Sequence, residues 1–430
     1  MKLRAVQIVL FAMLCSSAAM GQIDCLNGPA SQKLVCEFPF STGLFRNDSA
    51  LGGSSGLSSG ALGAYQVAQA INIGIATQVS QLPLATASAG AVVVYHAGVP
   101  ETFNNLGPIL TDRAQTVGRR RFYVGFAASQ FVFTDVDGFS LKSLPFAYVA
   151  TAYQPGTSTV VSDTYTTELT NLRFKIDQFL ALATFGITNR VDMSVIVPVE
   201  YVSIGASTHN STSYTVNASN QLVLGPYSNP DSYSAGTASG VGDITVNGKG
   251  VLWEGERATV AVGMNLRVPN GDDRNLLGSG AWGMSPYVVY SYLGKVSPHA
   301  KFGYEWNTAT ELNNPTGAPG GNKSLPGGMQ YDFGADWALS RKVTVAGDLL
   351  GSQFLNTPEL LEGTVAVSGV STPLPASGSG ITSYTINNAS VGVKWNPFRN
   401  LVLSANGLFQ INNTGLRSRP TPLLGISYKF

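Results

Sequence analysis

Strict alternation of side-chain polarity restricts the fold of this chain more than any other feature. From Thr259 to Val268 every second residue is apolar, and the residues between them are mostly small or polar. A repeat of two residues is typical of a β-strand with one apolar and one polar face. The preceding stretch, from Asp243 to Leu252, shows the same period. One such hairpin could belong to a water-soluble sandwich, but the pattern continues to the last residue.

The alternation predicts twelve strands. They cover residues 120–134, 166–186, 190–205, 241–253, 257–269, 283–293, 298–308, 328–339, 342–355, 382–395, 400–411 and 417–430. The connections alternate between short turns and long loops, as expected for a barrel whose two ends face the periplasm and the outside. The long loops, rich in Gly, Ser, Thr and Asn, are predicted at 135–165, 206–240, 270–282, 309–327 and 356–381.

The amino terminus and the composition indicate export and a membrane location. Residues 1–21 resemble a secretory signal peptide, with Lys2 and Arg4 before an apolar core and a small-residue cleavage site at Ala19-Met20-Gly21. Charged residues make up only 12% of the chain, against roughly 25% in soluble proteins. The net charge of +1 argues against nucleic acid as a partner.

No later segment has the run of about 18 apolar residues that a spanning helix needs. An exported chain this hydrophobic is then expected to cross the bilayer as a closed barrel. We predict an all-β, transmembrane antiparallel barrel of about twelve strands in the bacterial outer membrane, or fourteen if a hairpin near 90–106 joins the wall. The predicted domains are the signal peptide at 1–21, a plug or periplasmic leader at 22–118 and the barrel at 119–430.

The polar faces of the strands predict the lining of the pore. A charge that faces lipid at mid-depth costs roughly 2–4 kcal/mol, so charged residues belong on the inner face, which is expected to be polar and of mixed sign. The candidates are Asp243, Asn247, Lys249, Asn265, Arg267, Lys301, Glu305, Asp332, Asp336, Asp348 and Lys394. Trp253, Trp337 and Trp395 lie beside short turns, where an aromatic girdle is expected.

The segment before the barrel is unusual because residues 49–100 contain no Asp, Glu, Lys or Arg. Residues 61–81 show weak helical periodicity within it. The segment could pack against the polar wall as a plug or remain a mobile periplasmic leader, and the sequence leaves both alternatives open. Cys25 and Cys36, the only cysteines after the signal peptide, are expected to form a disulfide in an oxidising compartment.

The last strand alternates to an aromatic end at Tyr428 and Phe430. This ending resembles the assembly signal of bacterial outer-membrane barrels. The expected partners are therefore outer-membrane lipid, the barrel assembly machinery and a small-molecule solute, and the oligomeric state is left open.

Four short motifs carry a family resemblance. They are Gly240-Val241-Gly242-Asp243, the strand end from Arg267 to Asp272, Gly278-Ser279-Gly280, and the stretch from Pro298 to Tyr304. Together they resemble the outer-membrane barrels grouped as the "meta-pathway of phenol degradation" family, although that family often has Pro-Thr-Gly-Asp where this chain has Pro269-Asn270-Gly271-Asp272. The resemblance implies a transporter for hydrophobic or aromatic compounds. The long-chain fatty-acid outer-membrane channels, which carry an amino-terminal plug, are a more distant likeness.

The sequence offers little support for catalysis. The glycine pattern from Gly278 to Gly283 lies between two β-type segments, without the helix that a dinucleotide site requires. None of the three histidines belongs to a metal-ligand spacing or a nucleophile arrangement. We expect no catalytic residues, metal or cofactor. The alternatives are an adhesion barrel that presents its loops and, less favoured, a barrel enzyme centred on His209.

Overall fold

The computed structural model describes residues 33–37, 70–79, 92–96, 99–103, 106–153, 160–217, 219, 221–224, 232–313, 321–365, 374–398 and 400–430. Twelve antiparallel strands form a closed wall, which confirms the predicted fold class and strand number. The wall strands are β1 Phe122–Val136, β2 Val160–Gly186, β3 Val191–Val216, β4 Ile244–Glu254, β5 Ala258–Val268, β6 Gly283–Tyr292, β7 Val296–Asn307, β8 Gly328–Ala338, β9 Val343–Val365, β10 Leu374–Phe398, β11 Leu401–Gln410 and β12 Thr421–Lys429.

The barrel closes where its first and last strands pair. β12 lies antiparallel to β1, with Ile426 opposite Phe126. On the other side of β1, β2 continues the ring, and β3 pairs with both β2 and β4. A strand at Ser232–Val241 precedes β4 and pairs with the outer half of β3, whereas β4 pairs with the other half. This strand and β4 therefore follow one another along the same side of β3 and count as one strand of the wall. Closure leaves no unpaired edge within the membrane.

The hairpin near residues 90–106 stands apart from the wall. Its strands, Val92–His96 and Val99–Phe103, pair with each other in a sheet of their own. The count of twelve is therefore the correct alternative, and fourteen is not.

The two faces of the wall differ as the alternation predicts. On β5, Val262 and Met264 are exposed on the outer surface, whereas Thr259 and Arg267 are buried on the inner one. Trp253, Trp337 and Trp395 are about half exposed and lie next to short turns. Exposed apolar side chains in a continuous outer surface are stable in lipid and costly in water, so this surface is the membrane-facing one.

The long loops contain more strand than the sequence indicates. β2 and β3 extend to Val160 and Val216, and β9 and β10 extend to Val365 and Leu374. These stretches are rich in Thr, Ser, Tyr and Val, side chains that suit paired strands. Short strands also occur at Phe139–Ser140, Leu144–Tyr153, Leu222–Leu224, Ala309–Thr310, Lys323–Ser324 and Leu416–Ser418.

Helical structure is sparse. The described part of the chain has 3-10 turns at Leu34–Cys36 and Asp273–Asn275 and an α-helix at residues 70–79. None of the described helices is long and apolar enough to span a membrane.

The hydrophobic core lies inside the barrel. All ten described residues of the helix at 70–79 are buried. Its Ile71 and Ile75 belong to one cluster with Phe131 and Phe133 of β1 and Ile109 of the chain that leads into β1. The segment before the barrel therefore packs against the inner wall at the helix 70–79 and at Ile109.

Candidate functional site

Residues 106–118, called here the lumen segment, run along the inner face of the barrel. Leu106 N donates to Thr344 Oγ1 of β9 (3.0 Å), and Ala114 N donates to Ser291 Oγ of β6 (2.9 Å). At its far end, Val117 N donates to Asp192 Oδ2 of β3 (2.8 Å). These contacts fix the backbone of the segment to strands on several sides of the lumen.

Charged side chains of the wall add to this attachment. Lys301 Nζ lies 2.8 Å from Asp112 Oδ2, and Arg113 Nη2 lies 3.2 Å from Asp336 Oδ2. Lys249 Nζ donates to the carbonyl oxygens of Arg113 (2.6 Å) and Gln115 (3.0 Å). Breaking a buried ion pair by removing one partner typically costs about 3–5 kcal/mol, so these pairs hold the segment strongly in this position.

Lys394 is a further charged side chain of the wall that holds the lumen segment. Its ammonium group donates to the carbonyl oxygens of Leu106 and Pro108. Gln115 Nε2 also donates to Thr259 Oγ1 of β5 (3.1 Å), so the lumen segment is connected to every strand from β3 to β10.

His299, Thr111 and Asp348 form a buried cluster that superficially resembles a catalytic group. Thr111 Oγ1 lies 2.7 Å from His299 Nε2, and Asp348 Oδ1 lies 2.9 Å from the same nitrogen. A nucleophile–base–acid relay needs the hydroxyl and the carboxylate on opposite ring nitrogens. Both Thr111 and Asp348 contact Nε2, and Asp336 Oδ2 lies 3.7 Å from the opposite nitrogen, Nδ1, which is beyond hydrogen-bond distance. The cluster attaches the lumen segment to β7 and β9.

A cavity of about 260 Å³ lies in the lumen. It extends from Gln115 and Val117 of the lumen segment, near the short turns, to Gln410 and Ser418, near the long loops. One part of its lining is polar and charged. Seven predicted pore-lining residues contribute to it, namely Asn247, Lys249, Asn265, Arg267, Lys301, Glu305 and Asp332.

The remaining four predicted pore-lining residues have other places. Asp336, Asp348 and Lys394 are buried against the lumen segment, as described above. Asp243 is buried where loop 270–282 folds back onto the barrel. All four lie on the inner side of the wall, but none lines the large cavity.

Asp243 joins three of the family-like motifs through its carboxylate. Its Oδ1 accepts from Gly271 N (3.1 Å), and its Oδ2 accepts from Ser279 N (2.8 Å) and Ser279 Oγ (2.5 Å). Arg267 approaches the same carboxylate and also pairs with Glu305 at 2.8 Å. The motifs therefore meet at one point and fold loop 270–282.

The same loop carries a carboxyl group with an altered affinity for protons. Burial, with the Glu311 carboxylate nearby, raises the pKa of Asp273 to about 7. Arg274, the next residue, pairs with Glu311 at 2.6 Å. Asp273 therefore gains or loses its charge near neutral pH, and with it the net charge of loop 270–282 changes.

The other part of the cavity lining is apolar, which the alternation of the strands did not predict. Phe133 stacks on Phe174 with ring centroids 4.9 Å apart, and Phe354 lies 5.6 Å from Tyr384. The apolar residues that line the cavity are Leu110, Val117, Phe131, Phe133, Leu182, Ile196, Leu350, Phe354, Ile386, Leu408 and Leu416. The lumen is therefore amphipathic rather than polar throughout.

The remaining predicted residues occupy the ends of the molecule. Phe430 N donates to Phe122 O (2.8 Å), which places Tyr428 and Phe430 at the barrel seam. Cys36 is buried and disulfide-bonded, whereas Cys25 lies outside the described residues. His209 is exposed in the outer part of β3.

Comparisons with known proteins agree with the sequence motifs. Residues 150–354 match the family model described as "Putative MetA-pathway of phenol degradation". No curated protein matches the chain. The family resemblance predicted from residues 240–306 therefore has independent support across much of the barrel.

Solved barrel structures were also found. An outer membrane channel from Pseudomonas putida F1 is 14% identical, with 74% of this chain and 99% of that chain covered and a TM-score of 0.43. The Ralstonia pickettii toluene transporter TbuX is 8% identical, with 81% and 97% covered and a TM-score of 0.27. The P. putida toluene transporter TodX is 7% identical, with 73% and 90% covered and a TM-score of 0.30.

The family match, taken with the motifs that meet around Asp243, confirms over residues 150–354 the predicted resemblance to the phenol meta-pathway family of outer-membrane barrels.

Proposed function

We propose that this protein is an outer-membrane channel for small aromatic or otherwise hydrophobic compounds. The observation that carries the proposal is the apolar lining of the lumen cavity by Phe131, Phe133 and Phe354. An aromatic solute that enters such a cavity exchanges water for apolar contacts, which is favourable by about 25 cal/mol per Å² of buried apolar area. A wholly polar pore would give it no such gain.

The size of the cavity suits a single ring better than a long chain. A dry cavity of roughly 150 Å³ lined by Leu, Ile and Phe can bind benzene, and this cavity measures about 260 Å³. Drug-sized ligands occupy pockets from roughly 300 Å³ upward. We therefore place single-ring compounds with one or two polar substituents first among the solutes.

The part of the chain before the barrel is included in the proposal as a plug. Its buried helix at 70–79 and the many contacts of the lumen segment support this role over that of a mobile leader. The solute would then pass only when part of the plug moves.

The main experiment compares two glucosides that differ only in the group attached to the sugar, which is an aromatic ring in one and a methyl group in the other. Proteoliposome swelling with phenyl β-D-glucoside and methyl β-D-glucoside reports permeation without the rapid leakage of apolar compounds through lipid. The phenyl compound should enter faster. Phe133→Ala should reduce this preference, while Phe126→Ala, on the lipid-facing side of the same strand, should not. Equal entry of both glucosides would contradict the aromatic specificity.

A structural or adhesion role would show a different result. The long-loop extensions of β2, β3, β9 and β10 could present a binding surface. An adhesin would bind a surface without admitting either glucoside, and removal of the loop ends would abolish binding and leave the barrel intact.

A further inference from the structure

Arg417 is a buried cation of the lumen that has no carboxylate partner among the described residues. Its side chain lines the cavity near the long loops, and the residue is only 2% exposed. Its two hydrogen bonds both start at Nη2, one to Asn387 O (2.8 Å) and one to Asn412 Oδ1 (3.2 Å). Its Nε is buried and donates to no atom of the described chain.

The other buried cations of the lumen are satisfied differently. Arg113, Arg267 and Lys301 each have a carboxylate within 4 Å. Within the described part of the chain, Lys249 and Lys394 have no carboxylate that close, but each donates to two carbonyl oxygens of the lumen segment. A guanidinium group carries five N–H donors, and a buried charge without a counter-charge is costly. Arg417 is thus arranged to receive an anion.

The surroundings of Arg417 restrict what kind of anion fits. Ser418, the next residue, pairs across the sheet with Phe133, and Asn387, which accepts from Arg417, follows Ile386 in β10. Phe133, Ile386 and the neighbouring Leu416 all line the cavity. An apolar group bound against these side chains would lie beside the guanidinium.

Arg417 is also held firmly in place. Asn412, which accepts from its Nη2, donates from Nδ2 to Thr385 O and Thr414 Oγ1 and accepts from Asn387 N. A donor that is already oriented loses less entropy on binding, and a guanidinium group can hold a carboxylate through two parallel hydrogen bonds.

We propose that Arg417 and the adjoining apolar wall form a binding site for a single-ring aromatic carboxylate, with the carboxylate on the guanidinium group and the ring against Phe133, Ile386 and Leu416. This inference rests on the proposed channel function and names the solute class within it. The site lies at the long-loop end of the cavity, so it would select solutes before they reach the lumen segment.

Three probes test the site on the wild-type protein in detergent. Benzoate has both ring and carboxylate, benzyl alcohol has the ring alone, and acetate has the carboxylate alone. Isothermal titration calorimetry should show benzoate binding roughly tenfold or more tightly than either of the others, since a hydrogen bond to a charged group contributes that much. Equal affinities for benzoate and benzyl alcohol, or for benzoate and acetate, would overturn the proposal.

Matched variants connect the effect to one side chain. Arg417→Gln should lower benzoate affinity roughly tenfold or more and leave benzyl alcohol unchanged. Arg419→Gln removes the same charge from an exposed position two residues away and should alter neither affinity. Arg417→Lys keeps the charge without the two-pronged geometry and should give an intermediate benzoate affinity. Unchanged benzoate affinity in both Arg417 variants would overturn the proposal.

The outcomes separate this site from the channel function. If phenyl β-D-glucoside permeates faster than methyl β-D-glucoside but benzoate binds no better than benzyl alcohol, the channel stands and the carboxylate site fails. If benzoate binds through Arg417 but neither glucoside enters, the site stands and the channel proposal fails. Inorganic phosphate binding with the affinity of benzoate would indicate a general anion site and overturn the aromatic assignment.

Discussion

At the scale of the residue, the side of the wall that a side chain faces decides what a substitution costs. Val262 is 39% exposed on the outer surface. Asn265, three positions later on the same strand, lines the cavity and accepts from Asn247 Nδ2 at 2.7 Å. The same new side chain therefore meets lipid at one position and polar groups at the other.

Lysine at these two positions provides a direct test. Val262→Lys should destabilise the barrel by roughly 2–4 kcal/mol, because the ammonium group would face hydrocarbon. Asn265→Lys should cost much less. Heat-modifiability on an unboiled gel reports the folded fraction of each variant, and equal damage by both would contradict the strand register.

At the scale of the element, strand positions could be predicted from the sequence, but the contents of the lumen could not. The two-residue period fixes which side chains share a face, and that is sufficient for a strand such as β5. On β1, Phe131 and Phe133 are inward-facing, yet Val132 between them is also apolar. Alternation therefore gave no sign of which side was the inner one.

The contacts of the lumen segment with the wall also could not be predicted from the sequence. Arg113 and Asp336 are 223 positions apart and carry no pattern that would pair them. Arg417 posed a similar problem, because its importance depends on its forming no ion pair with a carboxylate of the described residues. Contacts of this kind depend on three-dimensional proximity, which a local period does not encode.

Loop 270–282 is an element whose stability should depend on pH. The pKa of Asp273 is raised from 3.8 to about 7 in the folded loop, so the folded loop binds a proton more tightly than the opened loop does. Its stability is then greatest at low pH and falls as the pH rises towards about 7.

Hydrogen exchange, corrected for the intrinsic rate, measures this effect. Opening of the loop should become roughly tenfold more favourable between pH 6 and pH 8, since one pKa unit corresponds to a tenfold change. Asp273→Asn should abolish the pH dependence. Glu256→Gln, in an exposed turn at the other end of the barrel, should preserve it, and a loop that opens equally at both pH values would exclude the proposed cause.

At the scale of the whole molecule, closure joins the two ends of the wall. Phe430 contacts Phe122 with ring centroids 6.1 Å apart, and its amide donates to the Phe122 carbonyl oxygen. The last residue thus completes the seam between β12 and β1.

Loss of this residue should impair assembly. Deletion of Phe430, or its replacement by Asp, should reduce the amount of protein in the outer membrane while export to the periplasm continues. Cell fractionation measures both. Exposed Phe398, the last residue of β10 at the same end, gives a control in Phe398→Asp. Normal membrane levels of the truncated protein would show that the ending is not an assembly signal.

The plug proposal also concerns the whole molecule. Barrels of about eight strands are already filled by side chains, and diameter grows with strand number, so twelve strands leave space that the plug can occupy. Deletion of residues 49–100 should give a barrel that assembles and conducts much more in planar bilayers. Unchanged conductance, or protease cleavage throughout the segment in the intact protein, would indicate a mobile leader instead.

The contacts of the lumen segment imply that its residues and those of the wall evolve together. His299 and Lys301 belong to a family-like motif on the wall, yet their partners Thr111 and Asp112 belong to the chain inside it. Selection on one set therefore acts on the other. Lineages that lost the inner chain would be free to lose these wall residues together, and lineages that kept it should change the two members of each pair together.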